Sequence, residues 1–407
     1  MSGKQIGLYL ALVAASAGSS IGAEQTPDFS HVPGTVIAHY PKSNQQYVGS
    51  PGIAIVGDGI YLAKHDEFGE GSTEYQSAIS QLYRSDDRGK TWRRIHTFDG
   101  LFWASIFTHG DAVYVLGTDK HHGNAVIFRS SDRGQTWTAP NDAANGLLLE
   151  GEYHTAPVPV IVHDGRIWRA IEDAGGGDKW GHRYRAMMMS APVDADLLNA
   201  ASWTCSNYIA RNPEWLDGRF NAWLEGNAVV TPDGKIVNIL RVDFNPEGNV
   251  AAIVRCSDDG REVTFDPKSD FIEFPGGATK FTIRHDPKTN LYWTLSNFIP
   301  AFHRSTRAAS TRNTLALASS ADLRDWSVRS VVLYHPDVEK HAFQYVDWLF
   351  EGDDLIVASR TANDDGLGGA HRAHDANFLT FHRVQDFRDL EMADSTPAYL
   401  ERLSKSK

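Results

Sequence analysis

Tyr83-Arg-Ser85-Asp-Asp87-Arg-Gly89-Lys-Thr91-Trp92 and Phe128-Arg-Ser130-Ser-Asp132-Arg-Gly134-Gln-Thr136-Trp137 are nearly the same phrase written twice, 45 positions apart. Both read Ser-x-Asp-x-Gly-x-Thr-Trp. The residue types describe a hairpin. The aspartate accepts hydrogen bonds from turn amides, the glycine takes a positive φ, and the tryptophan folds back over the turn. This is the Asp-box hairpin. Two copies at a blade-sized interval predict an all-β propeller, and nothing in them predicts contact with a ligand.

Weaker copies follow. Cys256-Ser-Asp258-Asp-Gly260 keeps the turn but has Val263 in place of the tryptophan. Ser319-Ser-Ala-Asp322-Leu-Arg-Asp-Trp326 keeps the spacing from serine to tryptophan, and Ser190 to Trp203 is a stretched version. Between the turns lie β-rich runs such as Ala112–Leu116, Val158–Val162, Lys235–Arg241 and Asp354–Ser359, bounded by Gly, Asp and Asn. No long amphipathic helical pattern interrupts them. At about 45–65 residues per blade the chain holds six or seven blades.

The composition suits this. Of 407 residues, 42% are hydrophobic and 11% aromatic, enough for an extended core. The net charge of −12 excludes the basic face that nucleic-acid binding requires. An acidic ligand would have to be held by a few local arginines. Lys4, the apolar run Ile6–Ala15 and the small residues up to Ala23 predict a secretion signal over residues 1–23. A single domain is expected over 24–407, in a secreted monomer with no membrane association. Cys205 and Cys256 are the two cysteines, either bridged or free. No Cys/His spacing typical of zinc and no helix–loop–helix calcium loop is evident.

Several polar residues on or beside apolar strands are candidates for chemistry. His121 and His122 share a tight loop and could act as acid, base or ligand contact. His154 enters a strand. Arg183 and Tyr184 begin another. Asn221, Glu225 and Asn227 are spaced along Phe220–Asn227, where capping of loop amides is the plainer role. Arg241 and Arg360 each end an apolar strand, and such a guanidinium needs a partner, either an internal carboxylate such as Asp243 or a bound one. Tyr345 alternates with Phe343 and is expected to face the channel. His374 and Asp375 open the last strand, in a structural role or as metal ligands. His65 is set apart, as a candidate on the opposite face.

Together with the Asp boxes, the segments Gly117–Gly123, Leu149–His154, Asn221–Asn227, Phe274–Gly277, Phe343–Trp348 and His374–Phe378 resemble the L-rhamnose-α-1,4-D-glucuronate lyases. Those enzymes remove rhamnose caps from gum arabic and related arabinogalactan. Relatives are described as rhamnosyl-glucuronide hydrolases, and more distant ones as ulvan lyases. The resemblance implies a seven-bladed propeller, with six as the alternative. It further implies an acidic plant glycan as substrate, no required cofactor, room for a structural calcium, and a second site around His65. In the implied β-elimination, Arg241 or Arg183 neutralises the uronate carboxylate while His122 and Tyr345 move protons. His121, His154, Arg183, Tyr184, Asn221 and Arg360 make up the substrate-binding set. A glycoside hydrolase of sialidase or rhamnosidase type, and a non-catalytic carbohydrate-binding propeller, are the competing expectations. The first would normally need two carboxylates, and the second would not need the histidine–tyrosine pair.

Overall fold

The computed structural model describes residues 28–244, 248–304 and 307–406; the expected secretion signal lies outside them. Six antiparallel sheets of four or five strands follow one another along the chain. The third strands of the successive blades end at Ser85, Ser130, Pro192, Cys256, Ser320 and Val384. The expected seven blades are therefore corrected to six. Only the first interval is short; the later blades carry longer loops and use up the length a seventh would need. The ring is closed by Thr35–His39, which pairs with Phe378–Val384 as the outermost strand of blade six. The one α-helix among the described residues, the eight-residue Pro397–Ser404, packs Tyr399 against Tyr334. None of the described helices is long and apolar enough to cross a membrane.

Each gap between neighbouring blades holds its own hydrophobic cluster, so the core is a ring of six wedges. Alternation along the strands supplies them: one face of each sheet fills the gap behind it and the other the gap ahead. Cys205 and Cys256 fall in adjacent wedges as free thiols.

The two Asp boxes are superimposable in their hydrogen bonds. Gly89 N donates to Ser85 Oγ at 2.8 Å, Thr91 N to Asp87 Oδ1 at 2.9 Å, and Trp92 Nε1 to Gly89 O at 3.1 Å. The same three distances recur among Ser130, Asp132, Gly134, Thr136 and Trp137. A third box was half hidden in the sequence. Its serine is Ser320, one place later than the spacing suggested, and Leu323 stands where glycine is usual, at φ +67°. Trp326 Nε1 closes that turn on Leu323 O at 3.0 Å. The tryptophans act between blades. Trp137 packs on Phe98 of blade one at 4.9 Å, Trp326 on Phe274 of blade four at 4.9 Å, and Trp92 on Phe381 of blade six at 5.5 Å.

In three of the blades the innermost strand is broken in one way. Phe102–His109, Phe220–Val230 and Ala342–Glu351 belong to blades two, four and six. Each carries one extra residue against its neighbour, at Phe102/Ser105, Leu224/Asn227 and Gln344/Asp347. The second residue of each bulge has a left-handed backbone: Trp103 at φ +49°, Glu225 at +59° and Tyr345 at +53°. Two residues on, a side chain accepts the backbone N–H of the next blade's inner strand. Ser105 takes Val158 N at 3.1 Å, Asn227 takes Ile283 N at 2.9 Å, and Asp347 takes Ile53 N at 3.1 Å. Blades two, four and six are thereby stapled to three, five and one.

The Asp-box tryptophans bridge blades, so removing one should loosen the ring without touching the bulged face. Trp137→Ala removes a half-buried ring from the wedge between blades one and two and should cost about 2 kcal/mol. Denaturant unfolding should show a lower midpoint, with ligand binding intact on the folded fraction. An unchanged midpoint would contradict this role.

Candidate functional site

The bulges set the site. A third strand runs parallel to the inner strand of its blade, so the Asp-box turns lie at the end where inner strands finish. The bulges lie nearer the start. They gather at the other mouth of the channel, with the loops that lead into each blade.

On the side of blades four and six, Arg241 Nη1 donates to Glu225 Oε2 at 2.9 Å, and Arg241 Nε to Ala278 O at 2.7 Å. Arg241 Nη1 also lies 3.5 Å from the Tyr345 hydroxyl. Two further guanidinium groups flank the same ring: Arg312 at 5.1 Å from its centroid and Arg360 at 4.8 Å. All three arginines are buried. Arg312 is held by Ala309 O and by Gln344 Oε1 at 2.8 Å. Arg360 bonds His374 and has an unpartnered buried Nε. Among the described residues neither is ion-paired with a carboxylate, and Glu225 is already taken by Arg241. Burial pulls both Arg312 and Arg360 below the usual arginine range, Arg360 to about 10, with Tyr345 pulling them back. Buried cations without counter-charge are costly, and an anionic group entering this mouth would relieve that cost.

On the side of blades two and three a histidine–tyrosine cluster is built. His154 Nδ1 and Glu172 Oε2 are 2.8 Å apart, and Glu172 Oε1 accepts Gly226 N at 3.1 Å, beside Glu225. That carboxylate ties the histidine to the bulge of blade four. His154 is buried against Tyr184, ring centroids 4.3 Å apart, and against Trp103 at 4.4 Å. His122 sits between Arg183 and Tyr184. Arg183 Nη1 meets its Nδ1 at 3.0 Å, and its Nε2 lies 3.0 Å from the Tyr184 hydroxyl. A guanidinium only donates, so Nδ1 accepts and Nε2 carries the proton that it offers to Tyr184. Burial, then the neighbouring His154, His121 and Arg183, holds the His122 imidazole down to about 2. Burial and the carboxylates Glu225 and Glu172 push the Tyr184 phenol well above its ordinary range, so it stays protonated. Glu172, which holds His154 and accepts the Gly226 amide next to the Arg241 partner Glu225, joins the two clusters into one site. Exposed rings stand at the rim: Tyr75, 68% exposed, stacks on His121, and Trp180, 46% exposed, meets Tyr184 edge-on.

Of the residues singled out in the sequence, His121, His122, His154, Arg183, Tyr184, Arg241, Tyr345 and Arg360 come together here. Asn221 stands at the edge, bonded to His182 and Asp243. The internal partner of Arg241 is Glu225, not Asp243. Arg183 is engaged by Glu152 at 2.8 Å and by Ala174 O, which makes it a support for His122. His65 needs correction as an opposite-face site. It is fully buried, packed against Tyr40 and Tyr83, and opens on neither face. Sequence reasoning missed Arg312, Trp103, Glu172 and Gln344. Arg312 lies in a short loop with no apolar run to mark it. The one weak signal for Trp103 was a large ring at a place where its strand should turn outward.

A structural calcium needs a cage of oxygens. Among the described residues, the single group of three metal-capable side chains close enough to share an ion is His335, Asp337 and His341, whose imidazoles do not suit calcium.

The chain matches the BNR-Asp box repeat at residues 82–95 and 127–139. No curated protein matches it in sequence. Its fold is shared by solved propellers. The α-L-arabinanase of Penicillium chrysogenum has 14% identity and a TM-score of 0.54, with 88% of this chain and 98% of that one aligned. The α-L-arabinofuranosidase of Fusarium graminearum has 12% identity and a TM-score of 0.55, with the same coverage. The sialidase of Trypanosoma rangeli has 14% identity and a TM-score of 0.52, with 86% of this chain and 56% of that one aligned. At these identities the likeness establishes the Asp-box propeller fold and nothing finer.

Burial holds four histidines well below their ordinary value: His65 and His382 to about 4, His374 to about 3 and His122 to about 2. Their stabilising effect is complete above about 6.5, the unfolded value, and is lost as pH falls from there towards 4, because the unfolded chain binds the protons. The denaturant midpoint should therefore drop steadily between pH 6.5 and 4.5, while nuclear magnetic resonance shows His122 neutral throughout. A flat midpoint, or His122 titrating near 6.5, would contradict the assignment.

Proposed function

We propose that this protein is a secreted polysaccharide lyase that releases terminal L-rhamnose from α-1,4-linked D-glucuronate of arabinogalactan-type glycans by β-elimination. The observation that carries the reading is the excess of buried positive charge around Tyr345. Among the described residues Arg312 and Arg360 have no carboxylate of their own, and a uronate carboxylate would supply one.

Elimination acidifies C5 by neutralising that carboxylate, and guanidinium groups fixed in a dry mouth do so without reorganising. His154 has its Nδ1 engaged by Glu172, which leaves Nε2 to take the C5 proton. The C5–H and C4–O4 bonds break, C4=C5 forms, and Tyr184 protonates O4, which leaves on the rhamnose. His122 steadies the tyrosinate through its Nε2 proton. In this scheme His122 positions and Tyr184 donates, and Arg241, bound to Glu225, keeps Tyr345 and the arginine pair in place. Tyr75 and Trp180 offer apolar ring faces to the sugars outside the cleaved bond.

One arrangement favours a second reading. Tyr345 shares Arg241 with the buried carboxylate of Glu225, and sialidases use a tyrosine nucleophile. A hydrolase of that kind would leave a saturated uronate.

Digestion of gum arabic separates the two. The lyase yields free rhamnose and a new ultraviolet-absorbing 4,5-unsaturated glucuronate at the chain end. A saturated glucuronate product would overturn it in favour of the hydrolase. Within the lyase, Tyr184→Phe should lower kcat by about 10²–10⁴, and Arg312→Ala should lower kcat/KM by about 10²–10³. Both comparisons need proteins of matched thermal midpoint.

A further inference from the structure

Beside the arginine cluster, outside the proposed chemistry, lies His335-Pro-Asp337-Val-Glu-Lys-His341. This segment joins the outermost strand of blade five, Ser327–Tyr334, to the inner strand of blade six, which carries Gln344 and Tyr345. One nitrogen or oxygen atom from each of His335, Asp337 and His341 lies within 4.8 Å of the others. The backbone N–H of Asp337 occupies His335 Nδ1 at 3.2 Å, so Nε2 of that ring is the atom left to coordinate. Asp337 Oδ2 meets His341 Nδ1 at 3.0 Å.

A fourth group comes from the loop after the second strand of blade six. Asp364 Oδ2 lies 3.6 Å from His341 Nε2. That is long for a hydrogen bond and close to the separation of two ligands on one tetrahedral ion, since bonds of about 2.0–2.1 Å set their ligand atoms about 3.3–3.4 Å apart. His335 also feels the charge of Asp364. His341 is only 5% exposed, yet its Nε2 has no hydrogen-bond partner. An imidazole nitrogen buried and unpartnered at the centre of such a group is the second, independent sign of a ligand. The two imidazole rings stack with centroids 3.5 Å apart. A shared ion would require them to splay so that both lone pairs converge.

We propose that His335, His341 and Asp364 bind a divalent ion of the zinc class, with Asp337 holding His341 Nδ1 so that Nε2 faces the ion. Two imidazoles and a carboxylate, with water as the fourth ligand, suit such an ion, whereas calcium prefers oxygen alone. The ion would tie the 335–341 segment to the 363–377 loop, which bears His374 and Asp375. Those two segments frame Arg360 and Tyr345, so the role is structural and lies outside the reacting atoms. The pair His335 and His341, completed by a carboxylate from a separate loop, matches none of the familiar zinc patterns, and the sequence alone therefore did not reveal it.

The test uses the full protein, stripped with a chelator and titrated with zinc alone by calorimetry. One equivalent should bind, and the thermal midpoint should rise by several degrees. Asp364→Ala, at an exposed carboxylate where misfolding is not expected, should weaken zinc binding at least tenfold, and His341→Ala should abolish it. If His341→Ala fails to fold, His335→Gln replaces it with the same expectation. Cobalt in place of zinc should give the visible absorption of a tetrahedral site. Failure to bind one equivalent, or binding unchanged in Asp364→Ala and His335→Gln, overturns the proposal. Neither result bears on the lyase reading, which is decided by product structure.

Discussion

The inner strand of every propeller blade is a sheet edge turned to the channel, and its outward N–H groups have no partner within the blade. Unsatisfied buried amides are expensive, so each must find an acceptor across the channel wall. Here Ser105, Asn227 and Asp347 provide one for the neighbouring strand, at the cost of an extra residue in their own. The bulge that brings the acceptor into place also forces Trp103, Glu225 and Tyr345 into left-handed backbone at the channel mouth. Closing the ring and presenting the site are thus two results of one distortion. Strained backbone of this sort persists only where its surroundings over-determine it, which the staples do.

The electrostatics follow from that geometry. Glu225 and Tyr345 reach Arg241 because both bulges aim at it from different blades. Glu172 then accepts the amide of Gly226, inside one of those bulges, and holds His154 with its other oxygen. Arg312 and Arg360 stand around Tyr345 with no ion-paired acid among the described residues. The site has an ordered proton network on one side and unbalanced positive charge on the other, as removal of a proton next to a carboxylate would require.

What could be read from the sequence was what is encoded locally. An Asp box is a closed set of short-range hydrogen bonds, so Ser85 to Trp92 and Ser130 to Trp137 declare themselves. Counting the turn signals left six and seven blades open, and the resemblance to a seven-bladed family favoured the wrong one. The third box was blurred because Leu323, rather than glycine, takes the positive φ. Most of the histidines, tyrosines and arginines of the site stood out as polar residues on apolar strands. Their pairing did not, because Arg241 with Glu225 depends on a bulge that no local pattern marks. His65 shows the opposite failure. A polar residue amid a strand looked like a ligand and is instead an imidazole packed against two tyrosines.

The central claim is that buried, uncompensated arginines select a carboxylate sugar. Calorimetric titration with D-glucuronate and with D-glucose, at one pH and one ionic strength, tests it most directly. The account predicts at least tenfold tighter binding of the glucuronate, with the preference lost when Arg312 and Arg360 are both replaced by glutamine in a protein that remains folded. Equal affinity for the acidic and the neutral sugar, or a preference that survives the double replacement, would contradict it.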